Sequence, residues 1–500
     1  MRIALINPTI TSRRSARFPL SLLALAGSVA GHCETRIFDG NIDRGYLESL
    51  RRALTEAHFD AVGVSVMGGP QVRSAIDTSL AVRAASPATP IIWGGYFPSL
   101  YTNTAMSAPY VDYAIRGQAE GVFSQLLESL AAGERADLES VEGLSWKRRG
   151  EVVHNKDRPF ADQRRGALLP YDLLPDPRVY LAHTFLGRRT AAHQAALGCR
   201  FRCTFCGVAG MFRGATALPP ATRLERDLTW LRDHFGADSI QYFDHNFFDR
   251  EAEMMPLLEV MAKLQLPWWC YARADALLNL SADAWALVRR SKLRMAYIGA
   301  ESPNDALLKD VRKGTKSDQT LAVADLCRRH GVIPELSFMV APPEDPEGET
   351  ERTFEFIRQV KRVNPSAEII LYVYTPVPPE SLPVKARVRA AAVPLRDLNG
   401  DLVRFPQTPE GWTEQKWVEY ACHANAPWVS ERLRRRIRNF VTVLGCRFPT
   451  VQDVRARPWT KSTLRALAAW RYRFRQYDRP WELALSQKLI RIADPRVTGI

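Results

Sequence analysis

Three cysteines within eight residues give this 500-residue sequence its strongest chemical signal. Cys199, Cys203 and Cys206 form a CxxxCxxC pattern in GCRFRCTFCG, and the next cysteine is Cys270. Structural zinc sites use four protein ligands, usually in two spaced pairs, and a disulfide would leave one thiol over. Iron–sulfur clusters usually take four cysteines, so a loop that supplies three leaves one iron free to bind a substrate or cofactor. The spacing therefore favours a catalytic iron–sulfur cluster over a zinc site or inert cysteines.

The elements that position these cysteines form a βα series in the middle of the chain. Strands are predicted at 191–197, 239–243, 268–272, 294–298, 335–340 and 369–374, with helices between them. Thr222 and Glu225 predict a capping box at the start of one helix. Six such units indicate an incomplete (β/α) barrel, whose site lies at the carboxyl ends of the strands. Asp244, Arg273 and Glu301 fall at those ends together with the cysteines.

A second βα series occupies the first 125 residues and predicts a flavodoxin-like, doubly wound parallel sheet. Strands are predicted at 2–8, 34–39, 61–67, 90–94 and 112–116, with helices at 20–30, 46–57, 72–85 and 122–132. The ligand crevice of such a sheet lies at the carboxyl ends of its strands, where Ser65, Gly94 and Gly95 are found. No GxGxxG follows the first strand and no GxxxxGK[ST] occurs, which disfavours a dinucleotide or a P-loop nucleotide.

At CxxxCxxC the sequence resembles the radical S-adenosylmethionine (SAM) superfamily. The resemblance implies that Cys199, Cys203 and Cys206 hold a 4Fe–4S cluster, that SAM chelates the fourth iron, and that Phe205 packs by the adenine. Four further segments resemble the cobalamin-dependent branch: YFDHNF (Tyr242–Phe247), YARAD (Tyr271–Asp275), IGAES (Ile298–Ser302) and LLKDVRKGTK (Leu307–Lys316).

These segments imply that Asp244, Arg273 and Glu301 line the SAM or substrate cavity. Each of the three has an alternative interpretation as a salt bridge or helix cap at the barrel end.

The N-terminal series resembles the cobalamin-binding domains of the same branch. Ser65-Val66-Met67 and Gly94-Gly95 occupy the places of the SxL and GG motifs, which implies that Ser65, Gly94 and Gly95 contact cobalamin. The DxHxxG motif that supplies a histidine to cobalt is absent, because PTITS follows the first strand. The resemblance therefore implies a cobalamin without histidine on its lower face. VAPPE after the fifth barrel strand also departs from the family pattern and leaves the substrate-side residues unassigned.

The resemblance implies a division of the chain into four parts. These are a cobalamin-binding domain at 1–140, a linker at 141–184, a radical SAM domain at 185–390 and a helical, basic region at 391–500. The implied activity is methylation of an unactivated carbon of a lipid, pigment or natural-product precursor, through a 5′-deoxyadenosyl radical and methylcobalamin.

Three other functions remain to be weighed. An oxidative cyclase or rearrangement enzyme of the porphyrin monomethyl ester cyclase type would use the same cofactors. A cobalamin or redox sensor would need no open iron. RNA methylthiolation is disfavoured, because that family carries three further N-terminal cysteines and this chain has only Cys33 there.

The charge distribution along the chain indicates which kinds of partner the protein could bind. The net charge is +14, and residues 430–475 hold thirteen Lys and Arg against Glu431 and Asp453. Arginines interleaved with aromatics suit an anionic membrane surface, a lipid-like substrate or, less well, nucleic acid. The alternative is a solvated helix face with Trp412, Trp417 and Trp428 packed on the barrel. We also expect a small-molecule substrate and a reductant such as flavodoxin or ferredoxin.

The sequence indicates a cytoplasmic protein. Its longest apolar run, residues 20–31, is too short to span a bilayer. A twin-arginine export signal at SRRSARF would remove a well-formed strand and helix on cleavage, so we disfavour it. Peripheral contact with the inner face of the membrane is compatible with the basic C-terminal region.

Overall fold

The computed structural model describes residues 1–133, 137–160, 169–377, 394–454 and 458–490. It contains an N-terminal sheet and a central sheet, each with helices packed on it, and a C-terminal group of helices. The predicted α/β fold class, with its mostly helical C-terminal region, is confirmed.

The N-terminal sheet has seven strands in the order 2-1-3-4-5-6-7. The first five are parallel, and their 2-1-3-4-5 order is that of flavodoxin-like folds. Strands 1 and 3 are almost fully buried, because helices cover both faces of a parallel sheet. The strands are β1 (Arg2–Asn7), β2 (Glu34–Asp39), β3 (Ala61–Ser65), β4 (Ile91–Gly94), β5 (Tyr113–Ile115), β6 (Leu144–Arg148) and β7 (Glu151–His154).

Strands β6 and β7 form an antiparallel hairpin that extends this sheet through β5. The hairpin lies in the segment assigned to the linker from the sequence. The domain boundaries at residues 140 and 184 stay predictions, and the boundary at 390 lies outside the described residues. The helices of this part are α1 (Leu20–Ser28), α2 (Tyr46–Glu56), α3 (Gln71–Ala85), α4 (Tyr96–Leu100), α5 (Thr102–Ser107) and α6 (Glu120–Ala131).

The central sheet has six parallel strands in the order 15-14-13-12-11-8, which is the predicted incomplete barrel. The chain adds each new strand beside the previous one, and the connections carry helices, so all carboxyl ends meet at one edge. Its strands are β8 (Thr190–His193), β11 (Ser239–Tyr242), β12 (Trp268–Ala272), β13 (Leu293–Glu301), β14 (Ile333–Val340) and β15 (Glu368–Val373), and the small pair β9 (Leu197–Gly198) and β10 (Thr216–Ala217) flanks the cysteine loop.

The helices of the central part follow the predicted pattern with one correction. The helix that was expected to start with a capping box begins at Ala221 after Pro220 and has no capping side chain. Thr222 is already inside its first turn, so its hydroxyl cannot act as an N-cap. The helices are α7 (Gly207–Phe212), α8 (Ala221–Phe235), α9 (Glu251–Leu264), α10 (Ala274–Leu278), α11 (Ala282–Arg290), α12 (Asp305–Asp310), α13 (Ser317–His330) and α14 (Pro346–Val363).

Aromatic side chains between the two sheets fasten them together. Tyr171 and Tyr180 pack on Phe18 at ring-centroid distances of 5.1 and 5.2 Å, and Tyr171 also packs on Phe235 of α8. The Tyr180 hydroxyl donates a hydrogen bond of 3.0 Å to Asp39 at the end of β2. The segment between the sheets therefore holds the carboxyl edge of the N-terminal sheet against the central sheet.

The C-terminal helices are α15 (Gln415–Ala421), α16 (Glu431–Arg447), α17 (Pro458–Arg473) and α18 (Trp481–Ile490). The Trp428 indole donates a hydrogen bond of 2.9 Å to the Ala341 carbonyl after β14, as expected for a tryptophan packed on the barrel. Trp412 instead packs on Phe97 and Tyr101 of the N-terminal part. The C-terminal region thus contacts both sheets. No described helix is long and apolar enough to cross a membrane.

Candidate active site

The three cysteines of the CxxxCxxC pattern lie on the loop between β9 and α7 and line one cavity of about 490 Å³. Gly198, which precedes Cys199, has φ of +76°, and a Cβ there would lie 2.2 Å from the Ala215 carbonyl oxygen. The loop therefore requires glycine immediately before its first cysteine. This geometry fixes the direction in which the chain enters the cysteine loop.

The donor set suits a cluster better than a single metal ion. Among the described residues, no three His, Cys, Asp or Glu side chains converge closely enough to hold one ion. A 4Fe–4S cluster instead takes one thiolate for each iron, so its ligands surround a larger volume. Cys199, Cys203 and Cys206 open onto a shared cavity, which is the arrangement that such a cluster needs.

Cationic side chains face the thiols. Burial raises the pKa of the Cys206 thiol to about 12, and burial also raises the pKa of Cys203. The positive charges of Lys313 and Arg273 oppose the effect of burial on the pKa of Cys203. Metal ligation requires the thiolate, so positive charge beside this loop favours the ligating form.

Arg273 is held in place by three groups. Its guanidinium donates two hydrogen bonds of 3.0 Å to the Asp275 carboxylate and one of 2.6 Å to the Lys313 carbonyl. The guanidinium carbon lies 3.5 Å from the ring centroid of Phe201, which belongs to the cysteine loop. A buried guanidinium with a fixed orientation thus links the end of β12 to the cysteine loop.

Glu301 and Lys313 form a buried ion pair with an Nζ–Oε1 distance of 2.6 Å. Glu301 has φ of +63°, and the pairing of β13 with β14 shifts register between Gly299 and Glu301. A Cβ on Gly299 would lie 2.2 Å from Glu301 Oε1 and 2.5 Å from Lys313 Nζ. Strained backbone of this kind concentrates at functional sites, and here it directs a carboxylate into the cavity.

Asp244 carries an unpartnered buried oxygen. Its Oδ1 accepts a hydrogen bond of 2.7 Å from the Ala195 amide, whereas Oδ2 has no partner among the described residues. Burial raises the pKa of this carboxyl to about 7. Because Asp244 lines the cavity, a ligand hydroxyl or amine there would satisfy the free oxygen.

The carboxyl edge of the N-terminal sheet has open space beside Gly94, which we call the crevice. Ser65 and Gly94 are neighbours across β3 and β4, and both are partly exposed. A Cβ on Gly94 would meet nothing within 4 Å, so the strand end opens onto free space. Gly95 has φ of +100°, a conformation that L side chains rarely adopt. The residues present therefore fit the close approach of a large, flat ligand such as cobalamin.

Tyr96 connects the residues of the crevice to the lining of the cavity. This residue follows Gly95, lines the cavity with the cysteines, and lies so close to α7 that a Cβ on Gly207 would be 2.1 Å from its hydroxyl oxygen. Of the residues assigned from the sequence, Phe205, Asp244, Arg273 and Glu301 share the cavity with the cysteines. Ser65, Gly94 and Gly95 lie outside that lining and mark the crevice.

Sequence reasoning missed several residues of this cavity. Lys313 lies in the quoted LLKDVRKGTK segment and Tyr96 directly follows the glycine pair, so both carried a positional signal. His423 carried none, because it follows α15 in the C-terminal region. Its backbone carbonyl accepts a hydrogen bond of 2.9 Å from the Val373 amide, and its Nδ1 hydrogen-bonds to Thr375. Aromatic residues complete the lining: Phe201, Phe243, Tyr271, Tyr297, Tyr372 and Tyr374.

Two family models match the chain in tandem. The B12 binding domain model matches residues 7–127, and the radical SAM superfamily model matches residues 195–357. These matches contain, respectively, the crevice and most of the cavity.

The curated relatives carry names that describe two activities, methyl transfer and cyclisation. An uncharacterized methyltransferase (PH0819) of Pyrococcus horikoshii is 23% identical over 345 residues, covering 68% of this chain and 73% of the relative. The anaerobic magnesium-protoporphyrin IX monomethyl ester cyclase of a Synechocystis species is 24% identical over 389 residues, covering 75% of each chain.

Solved structures share the fold. The radical SAM methyltransferase TsrM from Kitasatospora setae, with its tryptophan substrate and a SAM analogue bound, matches with a TM-score of 0.62 and 16% identity, covering 75% of this chain and 74% of that one. The cobalamin-dependent radical SAM enzyme OxsB, with aqua-cobalamin and SAM bound, matches with a TM-score of 0.65 and 17% identity, covering 100% of this chain and 77% of that one.

The order of the two sheets, the three-cysteine loop and the tandem domain matches lead to one assignment. The chain belongs to the cobalamin-dependent radical SAM enzymes, in the branch that contains methyltransferases and anaerobic cyclases and that uses a 4Fe–4S cluster, SAM and cobalamin.

Proposed function

We propose that this enzyme is a C-methyltransferase that acts on an unactivated carbon of a lipid, pigment or natural-product precursor. The observation that carries the proposal is that Tyr96, from the cobalamin-side edge, lines the same cavity as Cys199, Cys203 and Cys206. A substrate radical and a methyl donor must meet at one place with the reacting atoms in contact. This cavity offers such a place, because one loop from each cofactor region borders it.

When bound, the cluster and SAM supply a 5′-deoxyadenosyl radical, and cobalamin supplies the methyl group as methylcobalamin. We propose that the three cysteines hold three of the irons and that Phe205, Asp244, Arg273 and Glu301 position SAM. The chain itself holds these groups and needs no general base for methyl transfer to a carbon radical. Ser65, Gly94 and Gly95 are proposed to contact cobalamin.

The cavity wall supports radical chemistry because it is lined by aromatic rings. Tyr271 packs edge-on against Tyr297 at 4.8 Å, and Phe243 lies 6.3 Å from Tyr271. The Tyr297 hydroxyl hydrogen-bonds to Tyr372, and burial raises the pKa of both phenols. Such a wall excludes water and keeps the phenols uncharged, which protects a reactive intermediate from side reactions.

The size and lining of the cavity bear on the substrate class. A volume of about 490 Å³ is within the range of ordinary ligand sites, and SAM has to share this space. The portion of the substrate that reaches the radical is therefore small and apolar or aromatic. His423 adds one polar group to this wall, and burial lowers its pKa to about 4, so the imidazole is neutral at pH 7.

A second candidate is an oxidative cyclase or a rearrangement enzyme with the same cofactors. The 24% identical magnesium-protoporphyrin cyclase favours it, since its alignment covers three quarters of each chain. The two functions differ in the product. Methylation adds the carbon of the SAM methyl group to the substrate, whereas cyclisation removes hydrogen and adds no carbon.

For the test, the full chain is first reconstituted anaerobically with iron, sulfide and cobalamin. The reconstituted enzyme is then incubated with cell extract and with SAM that carries a trideuterated methyl group, and the products are analysed by mass. A product that gains one carbon with its deuterium label supports methylation. A product that loses hydrogen without gaining label supports cyclisation. Cys203→Ala should abolish cluster absorbance and label transfer, whereas Cys33→Ala, which changes a cysteine outside the cavity, should leave both intact.

We propose that flavodoxin or ferredoxin supplies the electron and that the enzyme works in the cytoplasm, where thiols stay reduced. Addition of reduced flavodoxin or reduced ferredoxin to the reconstituted enzyme tests the first part through the release of 5′-deoxyadenosine. If neither reduced protein supports this release while dithionite does, another reductant serves the enzyme.

A further inference from the structure

An exposed apolar face runs along helix α17. Its four members lie at intervals of eight, three and four residues, which places them on one side of the helix. We call this the aromatic face, and it consists of Trp459 (64% exposed), Leu467 (50%), Trp470 (60%) and Phe474 (55%) just after the last turn. The other side of the helix packs against the protein, since Leu464 and Ala468 are buried against neighbouring helices.

The adjoining helix α18 continues the pattern. Trp481 is 71% exposed and Leu485, one turn later, is 52% exposed. Six of the fifteen most exposed large apolar side chains of the described residues thus lie between residues 459 and 485. Single exposed apolar residues are normal on soluble proteins, but a cluster of this kind marks an interaction surface.

Exposed positive charge lies on the same part of the chain as the aromatic face. Arg465, Arg473 and Arg479 are exposed, and none of the three forms an ion pair with a described residue. By contrast, Arg471 pairs with Glu482 and Arg475 pairs with Glu355, so their charges are neutralised within the protein. Arg473 lies beside the aromatic face, because its guanidinium carbon is 5.7 Å from the Phe474 ring centroid, and Arg479 lies two residues before Trp481.

We propose that α17 and α18 dock this enzyme onto the surface of an anionic lipid bilayer. Tryptophan and phenylalanine side chains insert at the boundary between headgroups and acyl chains, and flanking arginines bind anionic headgroups. A second copy of the chain fits the charge pattern less well, because a two-fold interface would bring the same unpaired arginines together. The proposal does not depend on whether the reaction is methylation or cyclisation.

The experiment is sedimentation of the full-length protein with phosphatidylcholine vesicles, with and without phosphatidylglycerol. Wild-type protein should bind only the vesicles that contain phosphatidylglycerol, and added salt should weaken the binding. The triple variant Trp470→Ala/Phe474→Ala/Trp481→Ala should bind about tenfold more weakly or worse. Trp230→Ala is the matched control, because Trp230 is a 41% exposed tryptophan on another helix, and it should bind like wild type.

A second variant separates the contribution of charge to vesicle binding from that of the aromatic side chains. Arg473→Gln/Arg479→Gln should weaken binding by about tenfold while preserving the fold, because both side chains are exposed. Light scattering of the wild type and the triple variant reports the oligomeric state without vesicles. The proposal is overturned if wild-type protein ignores anionic vesicles, if the triple variant binds them equally well, or if the triple variant converts a wild-type dimer into a monomer.

Discussion

The buried ion pair between Glu301 and Lys313 gives the sharpest test of the cavity geometry. The charged atoms are 2.6 Å apart, and the two side chains are only 8% and 7% exposed. Coulomb's law at an effective dielectric constant of about 20 gives an attraction of about 6 kcal/mol, which the loss of hydration of both groups largely offsets. Removal of one partner leaves the other charge buried without compensation, which costs about 3–5 kcal/mol.

Lys313→Met keeps the length of the side chain and removes its charge. We expect the unfolding free energy of the central domain to fall by about 3–5 kcal/mol, which lowers its melting temperature by on the order of 10 °C. Glu301→Gln should destabilise for the same reason. The double variant Glu301→Gln/Lys313→Met contains no unpaired charge, so most of the lost stability should return.

The assay is scanning calorimetry of the cofactor-free protein, because bound cofactors would add their own stabilisation. The matched control is Arg328→Met, which breaks an exposed pair with Asp325 and should shift the melting temperature by a small fraction of that amount. Isothermal titration of SAM into the reconstituted double variant separates stability from binding. A Lys313→Met variant as stable as wild type, or a double variant that loses the sum of both single effects, would refute the buried-pair reasoning.

Three further predictions concern packing and pH. Gly207→Ala forces a methyl group into Tyr96, at a cost of about 1–3 kcal/mol, and should weaken cobalamin binding measured by absorbance, whereas Tyr96→Ala/Gly207→Ala should regain it. Burial, and after it the negative charge of Glu368, raises the pKa of Glu335 to about 7. Between pH 4.5, the pKa of an unperturbed Glu, and pH 7, the folded state therefore keeps a proton on Glu335 that the unfolded state has released. The resulting stability is present at acidic pH and is lost as pH rises towards 7 and above. The stability of Glu335→Gln relative to wild type should therefore rise by about 3 kcal/mol between pH 4.5 and pH 8, as measured by chemical unfolding. At pH 4.5 the variant should be the less stable protein, because its amide can accept only one of the hydrogen bonds that Trp269 and Gln452 donate to Glu335. His423→Gln should raise the KM for substrate and leave substrate-free cleavage of SAM unchanged, and wild-type activity should show no titration near pH 6.5 from this residue.

The parallel strands of both sheets were predictable from the sequence because most of them are short apolar runs bounded by turn residues. Every predicted strand is present, and β12 has the predicted bounds of 268–272. The flavodoxin-like fold predicted for the first sheet agrees with the observed 2-1-3-4-5 order of its parallel strands. The hairpin β6–β7 escaped prediction because its strands are short and polar, with Glu151 and Arg148 at the turn. Its place in the sheet comes from pairing with β5 and not from a hydrophobic pattern.

The cavity was predictable only where a local motif marks it. The cysteine loop, Asp244, Arg273 and Glu301 follow strand ends, and parallel strands bring their carboxyl ends together. His423 comes from a region fifty residues beyond the last strand, and its contact with the cavity depends on how α15 packs against both sheets. Nothing in the neighbouring sequence indicates that packing. Long-range placement of this kind is a property of the whole fold and not of any short window.

The position of His423 bears on why relatives with such similar motifs differ in activity. We propose that the cysteine loop and the strand-end residues hold the cluster and SAM, which methyltransferases and cyclases of this branch share, so we do not expect these residues to distinguish the two reactions. Another part of the cavity wall consists of Tyr372, Tyr374 and His423, which lie at the last strand and in the chain that follows it. His423 has φ of +53°, a strained conformation for a side chain of its size, and it is fixed to Val373 and Thr375 on this wall. We therefore expect His423→Gln to change the ratio of product to 5′-deoxyadenosine more than it changes substrate-free cleavage of SAM.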